Sequence, residues 1–140
     1  MKALDLNSEN KRTILLIHPM LSSAEGMKIL LADNLGNDLR YIIPDLSAHG
    51  RSANKTYHTS KEEAEEIYNY LKAHEIMELE LAYGASLGGV VLLQLLRHKD
   101  IKIKKVCESS NVFPNISILL NFDTDSLEYI LSNILKETID

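Results

Sequence analysis

The sequence has 140 residues, 45% apolar and 25% charged, which is the balance of one ordinary globular domain. That excludes a disordered tail, a collagen-like repeat and a coiled coil, and leaves room for a single core. Lys and Arg number 15 against 20 Asp and Glu, a net charge of −5, and the cations are scattered along the chain, so no nucleic-acid partner is expected.

The single cysteine, Cys107, cannot close an internal disulfide, so the expected compartment is a reducing cytoplasm. Residues 1–10 carry acids and amides where a signal peptide needs an apolar stretch. The longest apolar region, Leu87 to Leu96, is too short to cross a bilayer and contains Gln94, so no membrane span is expected.

In chain order, Thr13 to Ile17 is the first predicted strand, apolar on both alternations as a strand buried on two faces should be. Ser22 to Leu35 follows as a helix, with Met27, Leu30, Leu31 and Leu35 on one face and Gly36 as its stop. Leu39 to Ile43 is the second strand, ending at Pro44-Asp45. Ser60-Lys61-Glu62-Glu63 has the spacing of a capping box, and Ala64, Ile67, Tyr68 and Leu71 mark the inner face of the helix it opens. Leu79 to Tyr83 is the third strand, ending at Gly84. Leu87 to His98 is the most apolar helix and so the most buried. Lys104 to Glu108 is a fourth, weaker strand. From Asp125 a stripe of Leu127, Ile130, Leu131, Ile134 and Leu135 repeats the helical pattern. No repeat, low-complexity tract or linker divides the chain. One domain over residues 1–140 is expected, with its core in 12–110 and a helical segment, 115–140, as a candidate cap, lid or interface helix.

Strand–helix alternation of this kind predicts an α/β fold, a largely parallel doubly wound sheet flanked by helices, joined by right-handed crossovers. In such sheets ligands bind beyond the carboxyl ends of the strands, where strand order reverses. The segments to inspect follow Ile17, Ile43, Tyr83 and Glu108.

After the third strand stands Gly84-Ala85-Ser86-Leu87-Gly88-Gly89, a G-x-S-x-G pattern between a strand and an apolar helix. A serine on so sharp a turn takes a strained backbone conformation that exposes its hydroxyl above the sheet. Gly84 and Gly88 allow the close approach of neighbouring backbone, and Gly89 lets the helix lie tight on the strand. The helix N-terminus aims the Leu87 N–H at the reacting centre, a donor for an oxyanion. A plain Gly-rich turn is the bland alternative. A phosphate loop fails for want of its lysine, and the dinucleotide glycine pattern fails because Ser86 occupies its middle glycine position.

Ile17-His18-Pro19-Met20-Leu21-Ser22-Ser23 lies where a second oxyanion donor would come from. With it, the chain resembles the α/β-hydrolase superfamily, particularly its small esterase and lipase-like members. The resemblance makes His18 the motif histidine that organises the loop, with Pro19 in a usual glycine position and Met20 the second donor. Pro44-Asp45-Leu46-Ser47-Ala48-His49-Gly50-Arg51-Ser52 is similar to the superfamily's D-x-x-G-x-G-x-S segment through Asp45 and Gly50, with Ala48 replacing the first glycine. Together the matches span residues 12–110. They imply the third to sixth strands of eight, with the switch point between Ile17 and Tyr83, so that Met20 and Ser86 come together. The implied fold is a truncated α/β-hydrolase fold lacking the last strands.

Triad residues in this fold follow the order Ser, Asp or Glu, His. The histidines are His18, His49, His58, His74 and His98, none beyond residue 98, so the triad histidine and acid are expected outside the chain. His49 is the best-placed substitute base, while His58, His74 and His98 read as solvated. Glu108 and Asp123 follow the fourth strand, where a pocket residue or alternative acid would sit. Cys107 reads as a buried small hydrophobe, and Lys99, Lys102, Lys104 and Lys105 as a solvated face.

Two functions remain open at this point. One is a serine hydrolase with Ser86 as nucleophile, Met20 and Leu87 N–H groups as oxyanion hole, and a small-molecule acyl substrate (ester, thioester or amide). The other is a non-catalytic half-fold that binds a small acyl ligand or a partner protein, with a homodimer through an open sheet edge at Lys104 to Glu108 or through the C-terminal helix. No cofactor is expected, and no metal, since the histidines and acids show no ligand spacing on a common element.

Overall fold

A computed structural model describes residues 1–108 in full and residues 109, 110 and 113–121 as strand backbone. In chain order its elements are β1 (Lys2–Leu6), β2 (Thr13–Ile17), α1 (Ala24–Met27), α2 (Asp33–Leu35), β3 (Arg40–Asp45), α3 (Ser60–Ala73), β4 (Glu78–Leu79), β5 (Leu81–Ala85), α4 (Leu87–Leu95), β6 (Lys102–Ile103), β7 (Lys105–Ser110) and β8 (Phe113–Asn121). Six strands form one sheet in the order β1-β3-β2-β5-β7-β8, and β4 and β6 form a separate short ladder. The four inner strands run parallel, while β1 and β8 lie antiparallel on the two flanks.

The unbroken apolar run of β2 follows from this position. Its alternate side chains enter different cores: Leu15 and Ile17 pack with α3 and α4, Ile14 and Leu16 with the α1 side. The same split sends Ile42 of β3 to the first core and Tyr41 and Ile43 to the second. Each aliphatic side chain so enclosed contributes about 1.5–3 kcal/mol. On the first side, Ala64, Ile67 and Leu71 of α3 meet Val91, Leu92 and Leu95 of α4, the helix expected to be the most buried.

Several elements differ from the sequence reading. Residues 2–6, whose polar character counted only against an export signal, pair as β1 with β3, Leu4 opposite Ile43. The helix expected over 22–35 starts at Ala24, capped by Ser23, whose hydroxyl accepts from the Gly26 N–H at 3.1 Å. A π-helical turn over Lys28–Ala32 separates α1 from α2. That wider turn shifts the helical phase, so Met27 stays buried while Leu30 and Leu35 face outward. The α3 cap is Thr59, accepting from the Glu62 N–H, one residue ahead of the expected box at Ser60. The third strand is broken at Glu80, whose N–H donates to the Thr13 carbonyl, leaving Leu79 to pair in β4.

The largest difference is at the end of the sheet. The edge expected to be open at Lys104 to Glu108 is covered, because β8 pairs antiparallel with β7 over Lys105–Ser110. Residues 115–121, expected as the start of a helical segment, are therefore strand. In sequence, Ile116, Ile118 and Leu120 recur at every second residue, against Asn115, Ser117, Leu119 and Asn121, a period of two broken only at Leu119 that competes with the helical reading. Pro114 suits a strand with an unpaired flank. Asp123 and the stripe from Leu127 to Leu135 lie outside the described residues.

Candidate active site

The connection from β2 leads to β3 on one side of it, and that from β5 leads to β7 on the other. Strand order thus reverses between β2 and β5, which pair from Ile14↔Leu81 to Ile17↔Gly84. The crevice at their carboxyl ends is where a parallel sheet binds ligands. The segments 18–23 and 84–89 both enter it.

Ser86 stands between β5 and α4 with φ 50° and ψ −110°, a left-side conformation that an L-residue adopts at a cost of about 1–3 kcal/mol. It is partly exposed, and its hydroxyl makes no capping bond to the helix it precedes. The glycines around it are required by contact. A Cβ on Gly84 would lie 2.4 Å from the Gly88 carbonyl oxygen, and one on Gly88 would lie 2.2 Å from the Ile17 oxygen and 2.8 Å from the His18 oxygen. The turn is therefore docked, backbone on backbone, against the end of β2. At Gly89 the neighbour is Glu108, whose Cγ and Oε1 would each lie 2.6 Å from an added Cβ.

Facing this turn, His18 is fully buried and bridges two loops. The Leu46 N–H donates to its Nε2 at 3.1 Å, so Nε2 carries no proton, and its Nδ1–H donates to the Pro19 carbonyl at 2.8 Å. Both ring nitrogens are occupied by backbone in the neutral tautomer, and burial holds the ring's pKa below the usual histidine value. Beyond it the chain rises out of the sheet: Met20 is 62% and Leu21 94% exposed, and Leu21 has φ 64°. The Ser22 N–H closes the turn on the Pro19 carbonyl at 3.2 Å, whereas the Met20 N–H has no acceptor among the described residues. Leu87, as the first residue of α4, likewise has an N–H with no intrahelical acceptor.

Asp45, 2% exposed, ties the third loop to the frame. It accepts from the Ala24 N–H at 2.8 Å and from Arg51 Nε at 3.1 Å. Gly50 has φ 50°, and a Cβ there would fall 2.1 Å from Asp45 Oδ1. Ala48, standing in a glycine position of the resembled pattern, holds φ 67°. Sequence reasoning missed Glu63, which is 3% exposed and accepts from the Ser47 N–H at 3.0 Å. Its only signal was an acid in the first turn of α3 on the same face as Ala64 and Ile67.

The remaining candidates fall elsewhere. The His49 ring lies 5.0 Å from that of His18, and its Nδ1–H is directed to the Ser47 carbonyl at 2.9 Å. His58 and His74 are exposed. His98 is half-buried, stacked on Tyr68 with its Nε2 at 2.9 Å from Glu65, which differs from the solvated reading. No histidine is hydrogen-bonded to Ser86 among the described residues. Half-burial raises the pKa of both Cys107 and Glu108, and the Glu108 carboxyl has no paired cation among the described residues to offset the loss of water. Lys102 and Lys104 pair with Glu78, and Lys104 also with Glu80, on the solvated rim. No cluster of metal-ligating side chains and no helix long and apolar enough to cross a membrane occurs among the described residues.

No family model and no curated protein matches this sequence. Solved structures do. A protein of Desulfitobacterium hafniense described as of the alpha/beta hydrolase family superposes with a TM-score of 0.70 at 20% identity, over 76% of this chain and 43% of its own. A lipase-esterase related protein of Clostridium acetobutylicum gives 0.63 at 23%, over 76% and 45%. An esterase of Exiguobacterium antarcticum gives 0.62 at 18%, over 76% and 39%. This chain spans less than half the length of each of these structures. At such identities the likeness is one of fold, and the fold of this chain is part of the α/β-hydrolase fold.

Proposed function

We propose that this chain is the portion of a serine hydrolase that carries the nucleophile and the oxyanion hole. The observation that carries the reading is Ser86, held at φ 50° with a hydroxyl that makes no capping bond, on a turn packed against the Ile17 and His18 carbonyls. Its Oγ attacks the carbonyl carbon of an ester, thioester or amide. The Met20 and Leu87 N–H groups receive the developing oxyanion, each worth about 3 kcal/mol in the transition state. Asp45, Gly50 and His18 position the loops that aim these donors. Met20 and Leu21, apolar and exposed beside the turn, suit an acyl chain.

The proton of Ser86 needs a base. His18 is unsuited to the role because backbone groups occupy both its ring nitrogens. Among the described residues no histidine is bonded to Ser86, so this reading leaves the base and its acid to the part of the fold that the matched structures contain beyond the shared region. Esterase and lipase-esterase descriptions among those structures agree with a carbonyl substrate.

A fluorophosphonate probe tests this. The 140-residue chain is expected to label slowly or not at all. Any label should sit on Ser86 and vanish in Ser86→Ala, and a longer gene product carrying the rest of the fold should label fast. Fast stoichiometric labelling of the short chain would mean that a base is present within it. Labelling that survives Ser86→Ala would remove the serine from the mechanism.

A non-catalytic half-fold that binds a small acyl ligand or a partner rests on the same lack of a base at Ser86. It no longer has an open β7 edge to recommend it, since β8 occupies that edge.

A further inference from the structure

Glu108 stands near the carboxyl end of β7, on the face that α4 covers. Its partner across the strands is Gly84, which opens the serine turn, and Val106, two residues earlier on the same face, belongs to the core shared with α3 and α4. The Glu108 side chain lies over Gly89, where an added Cβ would be 2.6 Å from its Cγ and 2.6 Å from its Oε1. Gly89 follows Ser86 by one helical turn, a rise of about 5 Å, and its N–H donates to the Ser86 carbonyl at 2.9 Å. The space left by the missing Gly89 side chain is thus the seat of a carboxyl on the nucleophile's own turn.

The second observation is the lack of a counter-charge. Glu108 is half-buried, and its carboxyl has neither a hydrogen bond nor an ion pair among the described residues. It takes no N–H from the first turn of α4, so it does not cap that helix. The elements beside it are uncharged: none of Leu81–Ala85, Leu87–Leu95 or Phe113–Asn121 contains an acid or a base, and the last of these pairs Ile118 with Glu108. Lys105 and Lys104 lie three and four residues back along the chain, about 10–13 Å away. Lys104 is already held by Glu78 and Glu80, and Lys105 falls on the opposite face of the strand. A carboxylate drawn partly out of water without a partner is disfavoured, and its pKa is raised accordingly. A cation brought to it offsets that loss.

We propose that Glu108 is the specificity-determining residue of the Ser86 crevice, selecting acyl substrates that also carry a cationic group of the ammonium class. The proposal rests on Ser86 as the reacting serine, which makes the crevice a substrate site. The carboxylate takes no part in bond making and holds only the charge of the substrate.

The test uses two amides of one acyl chain, one ending in trimethylammonium and the other in the neutral, isosteric tert-butyl group. Each is titrated into the 140-residue chain and followed by NMR at about pH 8, above the ordinary carboxylate range. The cationic amide is expected to bind about fivefold tighter or more, the worth of a partly screened ion pair. Glu108→Gln keeps the shape of the side chain and should bring the two affinities together, with a Tm no lower than the parent's. Glu108→Asp, which keeps the charge but draws it back by one methylene, should give an intermediate ratio. Asp38→Asn removes the same charge from an exposed acid ahead of β3, at the opposite edge of the sheet, and should leave the ratio unchanged. That arm separates Glu108 from the general pull of a protein of net charge −5. The ratio is read from binding alone, so it can fail while Ser86 still labels with fluorophosphonate. Conversely, labelling that survives Ser86→Ala would defeat the hydrolase reading with the ratio intact. Equal binding of the two amides by the parent, no binding of the cationic one, or a preference that persists in Glu108→Gln would overturn the proposal.

Discussion

At Gly88 a single hydrogen atom faces the carbonyl oxygens of Ile17 and His18, and both of those belong to backbone that cannot swing aside. Gly88→Ala should therefore cost about 3 kcal/mol or more, a steric penalty at the upper end of overpacking effects. Urea unfolding measures this, and a shift under 1 kcal/mol would mean that the turn is not docked on β2. His18 yields a pH dependence. Burial lowers its folded pKa, while the unfolded chain titrates near the ordinary value of about 6.5. The unfolded state thus binds more protons in that window, and the contribution of His18, full above about pH 6.5, is lost as the pH falls toward the folded value. Glu108, with its pKa raised, acts in the opposite sense, so the measurement belongs in a Glu108→Gln background. There the urea midpoint should drop between pH 7 and 5.5, well above the range where Asp5 and Glu66, held low by Arg40 and Lys55, begin to protonate. A flat profile would contradict the tautomer assigned to His18. Both residues were legible as a motif, but the sequence did not reveal that Leu46 fills the second ring nitrogen or that Glu63 holds Ser47.

Among the elements, α3 was predicted correctly in place and one residue wrongly in its start. Thr59 and Ser60 both fit a capping pattern. Only backbone geometry separates them, since Thr59 is extended at φ −141° and Ser60 already helical. Thr59→Ala should destabilise by about 1 kcal/mol, and Ser60→Ala, which loses a hydrogen bond to the Tyr57 hydroxyl, by less. Equal effects in thermal unfolding would return the cap to Ser60. The π turn before α2 was hidden because apolar spacing is read on an assumed 3.6-residue period. One wider turn turns Leu30 outward with no change of composition. β8 was hidden because its residues fit two periods at once. The presence of an unpaired β7 flank decides between them, and that flank is a fact about another part of the chain.

For the whole molecule, the sheet order has consequences for amide protection. β7 is bonded on both sides, to β5 and to β8, whereas β1 is bonded only to β3 among the described residues. Hydrogen exchange should find the β7 amides of Val106 to Glu108 protected on both alternations, and those of β1 on one alternation only. Fast exchange on every second β7 residue would restore the open edge. The α/β alternation, the double-sided burial of β2, and the serine turn with its glycines were legible in the residues alone, because each depends on spacing within a few positions. The order of the strands, the partner of each motif loop and the covered β7 flank were decided only in three dimensions. Those features join residues as distant as Lys2 and Asp45, or His18 and Leu46, and local periodicity carries no information about which distant segment fills a vacant hydrogen bond.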